Sequence, residues 1–266
     1  MNKYERLFHC NLSEVVVRPN DDFESLARKV RLATILGTLQ ASLVNFRYLS
    51  RDWRRNTEEE ALLGVSLTGI MDNEFLSGKK GKRDITLPEF LRNLRDVAID
   101  ENKTWSGNLG TNQSTAITCV KPSGTVSQLV DSASGIHPRY ADYYIRTVRA
   151  DKKDPLAQFM ADAGFPVEDD VTKPEHNYVF GFPMKSPRGS VMRDAMGAIE
   201  QLELWKVYAE HWCEHKPSVT IYYSDDEFLA AGQWLWERLD SCSGISFLPR
   251  TDHVYAQAPY EAIDKD

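Results

Sequence analysis

Thr118–Arg139 reads TCVKPSGTVSQLVDSASGIHPR, and the order of residue types along it decides the architecture. The run Ser114–Val120 (STAITCV) that leads into it is apolar and β-branched, the character of a buried strand. Pro122 stops that strand, and Gly124 lets backbone approach a ligand closely. Ser123, Thr125 and Ser127 add hydroxyls. A helix starting here would aim its first-turn N–H groups and its dipole at an anion. The chemistry suits a phosphate. The spacing is not that of a GxxxxGK[ST] loop, and a plain strand–turn–helix corner fits the same residues. A second small-residue corner follows at Ser132-Ala133-Ser134-Gly135, then Ile136-His137-Pro138. Two such corners in one crossover imply a packed, ligand-facing loop.

Working outward, helical patterns alternate with short apolar runs. Asp21 to about Tyr48 reads as a helix, opened by Asp21 and Glu24 in a capping-box-like start. Leu26, Val30, Ala33, Leu36, Leu39 and Leu43 recur along it at helical spacing. Glu58–Met71 and Pro88–Asn102 read as further helices, Pro88 fitting a first turn. Ser77–Arg83 (SGKKGKR) between them is a basic loop, too short for a nucleic-acid patch. Tyr144–Arg149, Asn177–Phe182, Ser218–Tyr223 and Gly244–Leu248 read as strands. Asp154–Gly164, Ser190–His215 and Asp225–Asp240 read as helices. The alternation predicts an α/β fold with mostly parallel strands, in a single domain over 1–266.

The composition bounds the function. The chain has 266 residues, a hydrophobic fraction of 42% and a charged fraction of 27%, as expected of a globular protein with a real core. Its net charge of −7 argues against a nucleic-acid partner. No apolar run approaches the roughly 18 residues of a membrane span, and the N-terminus has no signal-peptide core. The four cysteines, Cys10, Cys119, Cys213 and Cys242, form no CxxC pair, which suits a reducing cytoplasm.

KPSGTVSQLVDSASGIHPR resembles the substrate-phosphate segment of the catalytic chain of ribonucleotide reductases. That family carries a Pro-Ser-x-Thr-x-Ser-Gln run followed by Ser/Asn-x-x-x-Gly-Ile-x-Pro. Cys10–Val17 (CNLSEVVV) resembles its strand bearing one cysteine of the redox pair, and Leu63–Met71 (LGVSLTGIM) its glycine-bearing helix after that strand. Ser218–Tyr223 and Gly244–Ile263 resemble the closing strands and tail of the catalytic barrel, the latter in the form of the adenosylcobalamin-dependent, class II enzymes. The resemblance runs in order over nearly the whole chain. It implies half, about five strands, of a ten-stranded α/β barrel. It implies reduction of a ribonucleotide at its 2′-carbon: a thiyl radical abstracts the 3′-hydrogen, and a cysteine pair supplies electrons and closes to a disulfide. Cys10 is then one reducing cysteine, and Pro122, Ser123, Gly124, Thr125, Val126 and Ser127 hold the substrate phosphate, mainly through backbone N–H groups. The implied cofactor is adenosylcobalamin. The implied partners are the ribonucleotide, a thioredoxin-like dithiol reductant and an N-terminal half chain.

That last partner follows from a departure. The family's radical cysteine lies in an Asn-x-Cys-x-Glu motif upstream of the CNL strand, whereas Met1 stands nine residues before Cys10. Cys10 does not itself fit the motif, since Phe8 and Leu12 stand where Asn and Glu are required. The paired cysteines of the family's C-terminal tail are also absent. The chain is therefore expected to be a C-terminal half-barrel, inactive alone. A half-barrel of a diiron-dependent class I enzyme, with Tyr222-Tyr223 as a radical relay, and a non-catalytic truncated fragment are the alternatives. Cys119 reads as a buried hydrophobe. His211 and His215, four apart on one predicted helix around Cys213, share a face but lack a third metal ligand. Trp205, Trp212, Trp234 and Trp236 read as packing residues, and His253 and Tyr255 as a cofactor edge.

Overall fold

The computed structural model describes residues 9–82, 84–250 and 256–265. In chain order the elements are β1 (Asn11–Val16), α1 (Phe23–Ala41), α2 (Arg51–Glu60), β2 (Leu63–Thr68), α3 (Leu87–Leu109), β3 (Thr118–Cys119), α4 (Thr125–Leu129), β4 (Tyr143–Asp151), α5 (Pro155–Asp162), β5 (Val167–Asp169), β6 (Asn177–Lys185), α6 (Ala198–His211), β7 (Val219–Tyr223), α7 (Phe228–Glu237), β8 (Ile245–Pro249) and β9 (Tyr260–Ala262). They group into two compact units. One holds the described residues up to Pro138 together with Gly189–Pro249, and the other holds Arg139–Arg188 and the described residues from Arg250 onward.

The first unit is α/β with parallel strands. Its three-stranded sheet has the order β1-β2-β3, and its two-stranded sheet pairs β7 with β8, all parallel. Backbone bonds join the two sheets: Glu214 and His215 N–H donate to Thr118 O at 3.0 Å each, and Ser218 N–H to Val120 O at 3.0 Å. Side chains alternate across a strand. Val15, Leu63, Val65, Leu67, Val219 and Ile221 therefore lie in the apolar core, with Leu26, Val30, Leu91, Leu94 and Trp205. The other face carries Leu12, Glu14, Gly64, Ser66, Thr68 and Cys119, matched in register as Leu12–Gly64, Glu14–Ser66 and Ser66–Cys119.

Strand β2 corrects the helix expected over Glu58–Met71. Helix α2 starts earlier and ends at Ala61, which has φ 44°. Leu63–Thr68 is then a central strand with all six residues buried. The alternation Leu63-Gly64-Val65-Ser66-Leu67-Thr68 is that of a strand, but it is only six residues long and follows directly on α2, so a helix carried through from Glu58 overrides it.

Helix α1 is capped one residue later than expected. Asp22 accepts from Ser25 N–H at 2.9 Å, and Asp22 N–H donates to Ser25 Oγ at 3.0 Å. Helix α3 is opened by Thr86, with Pro88 in its first turn. The helix expected over Ser190–His215 is confined to Ala198–His211, because Ser190 Oγ is held by the buried Asp72 carboxylate at 3.0 Å. Glu227 Oε1 accepts from Ala198 N–H at 2.7 Å, fixing where α6 begins.

The second unit departs from the expected parallel pattern. Its sheet, β5-β6-β4-β9, is antiparallel throughout. The predicted strands Tyr144–Arg149 and Asn177–Phe182 exist, lengthened to nine residues each. The short helix α5 and the three-residue strand β5 intervene, and β4 and β6 pair as antiparallel neighbours from Tyr143–Lys185 to Asp151–Asn177. Arg146 lies over the Tyr260 ring at 4.3 Å, tying β9 to β4.

Three of the four singled-out tryptophans are core. Trp205, Trp212 and Trp234 are buried, while Trp236 is 77% exposed. Trp212 is wholly enclosed, and its Nε1–H donates to Cys119 O at 2.8 Å. It thus ties the end of α6 to the strand that precedes the Pro-Ser-Gly corner. Trp212→Ala is expected to lower unfolding free energy by about 3–5 kcal/mol through the cavity it leaves. Trp212→Phe, which loses the indole N–H bond to Cys119 O and part of the ring volume, should cost less, about 1–3 kcal/mol, both read from urea unfolding curves.

Candidate functional site

The Pro-Ser-Gly corner is built on one hydroxyl. Thr68, the last residue of β2, donates its proton to Ala133 O at 2.9 Å and accepts from Gly135 N–H at 2.9 Å. Its oxygen is also 2.7 Å from Ser123 Oγ. Thr68 has only one proton, so Ser123 is the donor in that contact. Ser123 N–H donates to Ser134 Oγ at 3.1 Å. Thr68 thereby joins the two corners that the sequence places eleven residues apart, Ser123 and Ser134. Asp72 reinforces the second corner, accepting from Ala133 N–H at 2.8 Å. His137 completes it. Its Nε2 accepts from Thr220 N–H at 2.9 Å, which leaves Nδ1 to donate to Ser134 O at 2.9 Å. Burial pushes the His137 pKa down, in keeping with this neutral tautomer.

The loop residues present themselves unequally. Pro122, Gly124, Thr125 and Val126 are exposed, Ser123 is half-buried and Ser127 is buried. Gly124 has φ 44°, a left-handed value that favours glycine, and no atom lies within 4 Å of where its Cβ would stand. Two of the expected backbone donors are occupied within the loop. Val126 N–H donates to Ser123 O at 2.9 Å, and Ser123 N–H is held by Ser134. Ser127 Oγ–H donates to Gly124 O at 2.9 Å, so its hydroxyl braces the turn.

Cys10 precedes β1 on the polar face of the sheet. Its Sγ–H donates to Leu63 O at 3.2 Å. The same carbonyl accepts from His215 Nε2–H at 2.6 Å, and that nitrogen lies 3.9 Å from the Cys10 sulfur. A Cβ on Gly64 would fall 2.3 Å from Leu12 Cδ2, 3.1 Å from Cys10 Sγ and 3.4 Å from Cys119 Sγ. Glycine at 64 thus makes room for the cysteines of both neighbouring strands. Cys10 is exposed, whereas Cys119 and Cys213 are buried, and all four cysteines are free. Desolvation raises the Cys10 pKa and the Lys121 ammonium opposes it. Burial pushes the Cys119 thiol up to about 12, the behaviour of an inert core thiol.

Several of these partners escape sequence reasoning. Thr68, Ser66 and Gly64 were hidden by the mistaken helix over Glu58–Met71. Glu14 is four residues after Cys10, and its Oε1 is buried without a hydrogen-bond partner. Its pKa is raised to about 7 by burial. His215 does not share a helical face with His211, because α6 ends at His211. His211 Nδ1 instead lies 3.1 Å from Arg92. Among the described residues no group of three or more His, Cys, Asp or Glu could hold a metal. Tyr223 packs against Phe228 and Phe247, and Tyr222 lies half-buried on the opposite side of β7. His253 and Tyr255 lie outside the described residues.

Known proteins resemble the chain over most of its length. It is 29% identical to the adenosylcobalamin-dependent ribonucleoside-triphosphate reductase of Lactobacillus acidophilus, across 96% of this chain and 37% of that protein. It is 31% identical to a probable enzyme of the same description from Dictyostelium discoideum, across 76% of this chain and 26% of that protein. The crystal structure of a B12-dependent, class II ribonucleotide reductase superimposes with a TM-score of 0.79 at 24% identity, across 97% of this chain and 39% of that one. The alpha subunit of the class Id enzyme of Actinobacillus ureae gives 0.50 at 9% identity, across 86% and 47%. No family model matches. The chain is a homologue of part of the ribonucleotide reductase catalytic chain. Within that family its similarity is to the adenosylcobalamin-dependent, class II enzymes, and it spans about a third of the length of the curated relatives it matches.

Glu14 gives the polar face a measurable pH signature. Its pKa is about 7 in the folded chain against 4.5 for the ordinary group. The unfolded chain therefore releases this proton first, and folding stability declines as pH rises from 4.5 through about 7. The slope is at most about 1.4 kcal/mol per pH unit. Glu14→Gln should abolish that decline in denaturant unfolding measured across the same pH range.

Proposed function

We propose that the chain is the substrate-phosphate and reducing-cysteine portion of a class II ribonucleotide reductase, and that it forms the C-terminal half of the catalytic barrel. The observation that carries this reading is the shared placement of Cys10 and the Pro-Ser-Gly corner along β2. Leu63 O, at one end of that strand, receives the Cys10 thiol, and Thr68, at the other, holds Ser123. At ~3.3 Å per residue, Gly64 and Thr68 are about 13 Å apart. A ribonucleotide whose phosphate meets Gly124 and Thr125 would lay its sugar over Ser66 towards Cys10. Phosphate at the carboxyl ends of parallel strands is the usual arrangement in α/β sheets.

In this reading each residue has a defined task. Thr68, Ser123 and Ser134 hold the loop, and Gly124 and Thr125 offer backbone to the phosphate, flanked by Pro122, Val126 and Ser127. Cys10 gives up its thiol hydrogen and electron as one member of the reducing pair, becoming half of a disulfide with a cysteine of the N-terminal half chain. A thioredoxin-like dithiol restores both thiols. The radical cysteine belongs to the N-terminal half of the barrel, since these 266 residues contain no Asn-x-Cys-x-Glu motif, and they do not complete the reaction by themselves. The chain's parallel strands β1, β2, β3, β7 and β8 are consistent with five strands of a ten-stranded barrel. The free thiols fit a reducing cytoplasm. No described helix is long and apolar enough to cross a membrane.

Adenosylcobalamin is the cofactor we propose for the complete protein, following the names of its relatives. When bound, it supplies the radical that starts the reaction. The cavity beside Cys10, lined by His9, Asn11, Gln40, Leu43, Phe46 and Thr57, measures about 200 Å³. That is below the roughly 300–1,000 Å³ of sites for drug-sized ligands, so this cavity by itself does not enclose a corrin. The class I alternative is disfavoured, since the class Id subunit superimposes less well and Tyr223 is accounted for by its packing on Phe228 and Phe247.

Co-expression with an N-terminal half chain carrying Asn-x-Cys-x-Glu tests the reading. CTP or ATP reduction should require adenosylcobalamin, a dithiol and both chains, and multiple turnover should vanish in Cys10→Ser. A soluble stoichiometric complex without cobalamin-dependent turnover, or full turnover in Cys10→Ser, would overturn it.

A further inference from the structure

Cys10 and His215 share one acceptor, and that sharing has a chemical consequence. Leu63 O accepts from the Cys10 thiol at 3.2 Å and from His215 Nε2–H at 2.6 Å. A carbonyl only accepts, so the ring proton sits on Nε2, the nitrogen facing sulfur at 3.9 Å. When the thiol ionises, its bond to Leu63 O is lost and the sulfur becomes an acceptor. The ring N–H is then in place to bridge Leu63 O and the thiolate.

We propose that His215 is a positioning residue that donates its Nε2–H to the Cys10 thiolate, making Cys10 the reactive thiol of this chain. His215 reaches the sulfur because the chain turns back after α6, where Glu214 and His215 N–H both bond to Thr118 O at 3.0 Å. Gly64 leaves the space in which ring and sulfur meet, since a Cβ there would lie 3.1 Å from the sulfur. The inference rests on the reducing role proposed for Cys10, because thiol–disulfide exchange proceeds through the thiolate.

Among the described residues, other charged and titratable groups lie around the pair. From β3 and its extension come Cys119 and Lys121. The Lys121 ammonium favours the Cys10 thiolate, and its Nζ donates to Lys216 O at 3.3 Å. From β1 comes Glu14. Glu214 is engaged by Ile117 N–H at 2.9 Å. The ring of His9 packs on Phe46 and Trp53 at 4.9 and 4.8 Å. Of these groups, His215 is the one with a ring N–H beside the sulfur.

The test is the pH dependence of Cys10 alkylation by iodoacetamide in the full 266-residue chain, followed on the Cys10 peptide by mass spectrometry. His215→Leu should move the midpoint upward by about one pH unit, slowing alkylation at neutral pH roughly tenfold. His215→Gln, which keeps an N–H donor, should recover most of the loss. Unchanged midpoints in both variants, with native circular dichroism and melting, would overturn the proposal. A second measurement needs no change at His215. In the wild-type chain the His215 Cε1–H resonance should show an inflection at the Cys10 midpoint that disappears in Cys10→Ser, and identical titrations in the two proteins would overturn it. Neither readout uses turnover. A shifted profile alongside an active Cys10→Ser enzyme would refute the reducing role and leave the pairing standing; an unshifted profile alongside an inactive Cys10→Ser enzyme would do the reverse.

Discussion

Strand β2 is hydrogen-bonded along both edges, to β1 on one side and β3 on the other, and both candidate functional groups hang from its two ends. Leu63 O receives Cys10 and His215, and the Thr68 hydroxyl receives Ser123 and Gly135. All six residues are buried, yet the two faces differ in kind. Leu63, Val65 and Leu67 point to the helices, while Gly64, Ser66 and Thr68 point to the polar side. The side-chain period of a strand is two, so a slip of one residue would drive Ser66 and Thr68 into the apolar core and expose three aliphatic side chains. Burial of one face therefore fixes the register, and the register places the thiol and the Pro-Ser-Gly corner on the other.

That polar face discriminates between chemically identical groups by depth. Cys10 and Cys119 both flank Gly64 and both feel Lys121, but Cys119 is enclosed and its thiol is held protonated, whereas Cys10 is accessible. Desolvation alone would make both inert. What separates them is the smaller desolvation of Cys10 and the groups beside it: the Leu63 carbonyl for the thiol, and the His215 ring N–H for the thiolate. The same desolvation acts on Glu14, which it keeps partly protonated near neutrality. A low-dielectric face with few fixed donors makes the placement of each donor matter more than it would in water.

Most of this architecture could be read from residue types, and the misreadings share one cause. The two Ser/Gly corners of Thr118–Arg139, the first-turn Pro88, the strand Val219–Tyr223 and the glycine end of α5 are local features, and local signals were enough for them. Strand β2 was not local. Its Leu-Gly-Val-Ser-Leu-Thr alternation spans six residues only, directly after α2, and what settles it as a strand is pairing with Asn11–Val16 and Thr118–Cys119, both distant in sequence. Losing β2 concealed Gly64, Ser66 and Thr68 together. The start of α6 was misplaced for the same reason: Asp72 and Glu227, distant in sequence, decide that Ser190 and Gly197 stay outside it. His215 was grouped with His211 by a spacing of four, which has meaning only while the helix continues. The chain leaves α6 after His211, and His215 is then free to reach β2. The antiparallel pairing of β4 with β6 likewise turns on which strands meet, and an alternation of elements does not determine that.

In the proposed function the Pro-Ser-Gly corner is a phosphate site of a particular kind. Helix α4 has only five residues, so a macrodipole contributes little, and the N–H groups of Ser123 and Val126 are already bonded inside the loop. Gly124 and Thr125 remain as the exposed backbone at the tip. Few donors mean modest intrinsic affinity. The hydroxyl network of Thr68, Ser123 and Ser134 beneath the tip means that little conformational entropy is lost when an anion meets them. Such a corner is better suited to orienting a substrate than to capturing it. For a reaction that depends on which carbon of a sugar lies over which cysteine, rigid placement is the more valuable property. On the proposed function, the greater part of the nucleotide's binding energy therefore comes from contacts other than this loop.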